Sequence, residues 1–135
     1  MREIIFRGKR ESNGKWVSGS LLVWSDGSTD ICSTDPDDEN ELMKYVVYPE
    51  TVGQFAGVND DNGKKIFEGD IVLFNYIGKN RGVHGKKVVC FNNGKFGVFW
   101  GWHKEFVPLD GFANTILEVI GNVHDNPKLL EECDY

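Results

Sequence analysis

Alanine is almost missing from this sequence: Ala56 and Ala113 are the only two in 135 residues. Alanine is the strongest helix former, so a helical bundle is a poor fit from the outset. Cysteine is scarce too, with Cys32, Cys90 and Cys133 making an odd count without paired spacing. No disulfide framework follows, and such residues read as reduced thiols. Long apolar runs are lacking. The first is only residues 4–6, too short for the centre of a signal peptide. No stretch approaches the ~18 apolar residues of a membrane span. The expected setting is the cytoplasm, away from membranes.

What the sequence does hold is strand-forming. It has 14 Val, 8 Ile, 9 Phe, 4 Tyr and 4 Trp, with 16 Gly for turns. Branched and aromatic side chains suit a pleated, half-buried surface. Hydrophobic residues at 40% and charged ones at 27% are ordinary for a folded soluble chain. A length of 135 residues fits a single domain over 1–135 with a core of its own. The fold class expected is mainly β, or α+β with little helix. Its antiparallel strands would form a small, partly open barrel-like domain.

Turn signals punctuate the strands. Asn13-Gly14, Asp26-Gly27, Asn62-Gly63 and Asn92-Asn93-Gly94 are hairpin turns by composition. Between them, strands are expected over 2–7, 15–18, 20–24 and 28–32, with Gly19 as a bulge or bend interrupting 15–18 and 20–24. Residues 35–42, DPDDENEL, read as a charged loop with one helical turn at most, before a strand over 44–48. Strands then follow over 51–58, 65–67 and 71–77. A hairpin joins 87–91 to 95–102, with Phe96, Val98, Trp100 and Trp102 sharing one face. A short strand at 106–107 and a last one ending at Gly121 precede a helical turn, PKLLEE, opened by Pro127.

Net charge is −6, unevenly spread. Residues 26–50 carry eight acidic side chains against one lysine, and residues 105–135 carry seven against one. Residues 64–104 reverse this, with eight basic side chains against two acidic. Global acidity opposes unspecific binding to a phosphate backbone, while the basic centre leaves a local site open.

Motifs for chemistry are few. Asp60 and Asp61 fall in a turn, where aspartate is a usual residue. Glu68 and Asp70 flank Gly69 at a strand entrance, where a carboxylate fixes a corner by accepting backbone N–H bonds. His84, His103 and His124 lack zinc-motif spacing. DPDDENEL lacks the glycine and twelve-residue spacing of a calcium loop. No P-loop, GxSxG or HExxH occurs. No catalytic residue, metal or cofactor is assigned.

Four pieces carry a family resemblance: MREIIFRG, GKWVSG, TVGQFAGVNDDNGKKIFEGDIV and LEVIGNVHDNPKLL. The central piece is the specific one, with QFAG at 54–57 and the turn from Asp60 to Asp70. Together they resemble the YopX family of phage and prophage proteins. Relatives commonly carry an aromatic and an acidic residue after the first FR, where this chain has Gly8, Lys9 and Arg10. The resemblance implies a phage-derived intracellular protein of unestablished activity and supplies no catalytic residues.

A Gly-Asp corner feeding a branched strand, then a basic loop and an aromatic hairpin, also looks SH3-like in the central and C-terminal part. The candidate contact residues are Lys79, Arg81, Lys86, Lys87 and Trp102. The favoured function is a non-catalytic module for protein interaction or self-association, its partner another protein or a second copy. A nucleic-acid-binding module using 79–87, with phosphate contacts and tryptophan stacking, is the alternative. An enzyme is the third reading, with no motif behind it.

Overall fold

A computed structural model describes residues 1–35, 38–78 and 84–133. The chain forms two compact units, Met1–Phe55 and Ala56–Tyr135. It is mainly β, and every described strand pair is antiparallel. The described strands lie in open sheets rather than a closed barrel.

In the first unit, β1 (Phe6–Lys9), β2 (Trp16–Val23), β3 (Thr29–Asp35) and β4 (Asp38–Val46) form a meander. The start of β5 (Gly53–Asn59) pairs with β1, giving the order β4-β3-β2-β1-β5. Alternation sorts the two faces. Ile31 and Val47 are buried on one, while Leu22, Leu42 and Val46 stand exposed on the other. Gly8 lies against Val47, where an added Cβ would come within 3.1 Å. A 3-10 turn at Pro49–Thr51 places the Thr51 hydroxyl to accept the Lys9 N–H at 2.9 Å.

Three expectations fail in this unit. The first strand begins at Phe6 rather than Arg2. Gly19 does not break β2; its missing side chain lets the strand close on β3, since a Cβ there would lie 2.1 Å from the Cys32 carbonyl oxygen. The acidic stretch is strand from Asp38 onward, because pairing with β3 outweighs weak local propensity. Pro36 and Asp37 lie outside the described residues.

In the second unit, β6 (Lys65–Phe67) follows the Asn62-Gly63 turn as expected. β7 (Asp70–Tyr76) is central, with β8 (His84–Val88) on one side and β12 (Thr115–Asn122) on the other. A second sheet holds β9 (Cys90–Asn92), β10 (Lys95–Trp100) and β11 (Glu105–Pro108), ordered β11-β10-β9. The core is Ile66, Val72, Phe74, Val89, Val98 and Leu109. Helix α1 (Pro127–Glu131) opens on proline.

The β9–β10 hairpin turns at Asn93 and Gly94, both at positive φ (50° and 79°), the twist-matched geometry their composition signals. The expected strand over 87–91 divides at Val89. There the Gly69–Asp70 corner takes both backbone groups: Val89 N–H donates to Asp70 O and Val89 O accepts from Gly69 N–H, each at 2.9 Å. Trp102 does not extend β10 either. The chain turns at Gly101 (φ 84°), and Lys104 N–H closes onto Gly101 O at 3.1 Å.

Candidate binding groove

Strand β8 carries the second half of the basic segment, while Lys79 and Arg81 lie outside the described residues. Among the described residues β8 is the outer strand of its sheet. His84, Gly85, Lys86 and Lys87 all line one open groove of about 650 Å³, together with Trp100, Trp102 and Glu132. Strand side chains alternate between faces. A groove that follows the strand's edge, rather than either face, accounts for four consecutive residues lining it.

The two walls differ. Gly85 and Lys87 point towards Trp100. A Cβ on Gly85 would come within 3.0 Å of the Trp100 ring, so glycine here admits the indole. Lys87 is only 6% exposed, and its Nζ lies 4.8 Å from the Trp100 ring centroid, a favourable cation–π arrangement. Trp100 is itself braced edge-on against Phe74 and Phe112, with centroids at 5.3 and 5.5 Å. Lys86, of opposite parity, has its Nζ 3.3 Å from a Glu132 carboxylate oxygen beyond α1. At the rim, Trp102 is 94% exposed.

Asp60, Asp61 and Asp70 serve the fold. Asp60 is buried, and its Oδ1 accepts the N–H groups of Asn62 (3.0 Å) and Lys64 (2.8 Å). Its Oδ2 accepts Val119 N–H at 2.9 Å, while Asp61 Oδ2 accepts Leu117 N–H at 2.6 Å. The turn therefore clips onto the edge of β12, its carboxylates standing in for a strand ladder. Burial works to raise the Asp60 pKa. The backbone donors of Val119, Lys64 and Asn62, with the Lys64 charge, outweigh burial and hold it below the ordinary value. Asp70, also buried, accepts Phe67 N–H at 2.8 Å and fixes the corner.

Neither Cys90 nor Cys133 is activated as a nucleophile. Burial, then the Glu68 charge, pushes the Cys90 thiol up. Burial also dominates at Cys133 and pushes its thiol up, despite Lys86 and Lys87 nearby. His84, His103 and His124 stand exposed on separate segments. Among the described residues no three His, Cys, Asp or Glu side chains gather as a metal site.

The sequence model of the YopX protein family matches residues 5–131. This chain belongs to the YopX family. It is similar to the crystal structure of protein YopX from Bacillus subtilis, at 21% identity and a TM-score of 0.66, covering 96% of this chain and 98% of that one. It is also similar to protein EF1440 from Enterococcus faecalis, at 21% identity and a TM-score of 0.58, covering 96% and 99%. These likenesses show a shared fold. No curated protein matches the chain. The stretch with the most specific YopX signature, residues 54–70, builds the Asp60–Asp61 clip and the Asp70 corner, so it carries architecture.

Within this YopX fold, Lys86, Lys87 and Trp102 meet at one groove. Sequence reasoning missed Glu132 and left Trp100 out of the candidate contact residues. Glu132 comes from the distant C-terminal segment, whose acidity is its only signal, while Trp100 comes from the hairpin next to β8 in the chain.

Proposed function

We propose that the chain is a non-catalytic binding module that takes an extended polypeptide along the outer edge of β8, with Trp102 as its anchor. The observation that carries this reading is the groove lined by four consecutive β8 residues beside a 94% exposed tryptophan. Sheet edges recruit further strands through backbone hydrogen bonds, and exposed tryptophans are recurrent binding anchors.

Phosphate is the less suitable ligand. Lys87 is buried against Trp100, which leaves Lys86 as the one accessible lysine among the described groove residues, and the chain is −6 overall. The setting that suits the reading is a phage or prophage product in the host cytoplasm, and the free thiols Cys32, Cys90 and Cys133 fit a reducing compartment.

Selection from a random heptapeptide library tests the reading. Peptides that enrich on the wild type and not on Trp102→Ala support it. Enrichment indifferent to Trp102 overturns it. So does the capture of labelled single-stranded DNA or RNA that weakens steeply between about 50 and 200 mM salt.

A further inference from the structure

We infer that the segment entering this groove joins β8 as an added strand and brings a carboxylate that displaces Glu132 from Lys86. The ligand class is an extended acidic peptide. This rests on the binding role given to the groove above and narrows it.

The contrast between the walls carries the inference. On one side, Trp100 is locked by Phe74, Phe112 and the Lys87 ammonium, giving a fixed aromatic surface. On the other, the Lys86–Glu132 pair is accessible, with side chains 33% and 53% exposed. Exposed ion pairs are weak and exchange readily. Glu132 thus holds the place of a ligand carboxylate and is easily replaced by one. A strand laid along β8 would send alternate side chains to the two walls. Its acidic residue would face Lys86, and the residues immediately before and after it would face Trp100. The recognised pattern is a carboxylate flanked by apolar or aromatic residues. Nothing about Lys87 contradicts this, since it is buried on the Trp100 side and supports the wall.

The probe is a capped, fluorescent heptapeptide alternating threonine and valine, with glutamate at its third position. Its glutamine counterpart and two versions N-methylated at alternate amides complete the set. The glutamate peptide should bind about two- to five-fold tighter than the glutamine peptide, the range of an exposed ion pair. Glu132→Gln should tighten the glutamate peptide by a similar factor and leave the glutamine peptide unchanged. Lys86→Gln should erase the difference between them. Methylation of one amide parity should abolish binding, while the other parity is tolerated. Equal affinity for glutamate and glutamine peptides, or equal loss from both methylated versions, overturns this inference. Absence of binding by both peptides overturns it too. In any of these cases, Trp102-dependent enrichment from the random library would leave the binding role standing, and its absence would remove that role as well.

Discussion

Asp60→Asn is the sharpest test of how the second unit is held together. The wild-type carboxylate joins three backbone donors, two within its own turn and one, Val119 N–H, on β12. Asparagine can keep its single carbonyl oxygen on Asn62 and Lys64. Its amide NH2 then meets Val119 N–H, donor against donor. The loss is one charge-assisted bond, with a partly buried donor left unmet, and should cost about 2–4 kcal/mol. Urea denaturation followed by circular dichroism and tryptophan fluorescence at pH 7 would read it as a lower midpoint at similar slope. The pH dependence adds a signed check. Because the folded-state pKa of Asp60 is depressed, its contribution is full above the ordinary aspartate pKa of about 3.9. It is lost as pH falls through the lower folded value. The gap between wild type and variant should therefore narrow below about pH 4. An unchanged midpoint at pH 7, or a gap constant down to low pH, would refute the clip.

Trp100 and Trp102 should separate cleanly: Trp100→Ala should cost about 3–5 kcal/mol as a packed aromatic, while Trp102→Ala should stay within about 0.5 kcal/mol as an exposed one. Equal losses in thermal melts would contradict the placement of the two indoles. Asp70→Ala should cost about 1–3 kcal/mol by leaving the buried Phe67 N–H without its acceptor, measured by chemical denaturation. Gly19→Ala should destabilise the first unit by about 1–3 kcal/mol or more, because its Cβ would meet Cys32 backbone rather than a movable side chain. Faster amide exchange across β2 and β3 would report it.

Much of the fold was legible because its turns are local. Asn93-Gly94 and Asn62-Gly63 specify hairpins by backbone preference alone, and both are found. The Asp70 corner was legible for the same reason. Misreadings arise where a distant partner decides. Charge density in 35–42 suggested a loop, yet pairing with β3 supplies backbone bonds that override it. Alternation placed Trp102 on a continuous β10, but the turn at Gly101 takes it out to solvent. Val89 looked like mid-strand until the Gly69–Asp70 corner claimed its backbone. The groove was half visible: Lys86 and Lys87 declare themselves by spacing, whereas the braced Trp100 wall and the Glu132 counter-charge exist only after folding.

The most direct test of the central claim is a map of backbone and indole amide resonances on titrating a peptide enriched in the library selection. The groove account predicts shifts concentrated at residues 84–88, at 100–102 and at the Trp102 indole, with the Trp24 indole on the first unit unmoved. Shifts centred on Trp24 and the exposed face of β2–β4, with β8 silent, would contradict it.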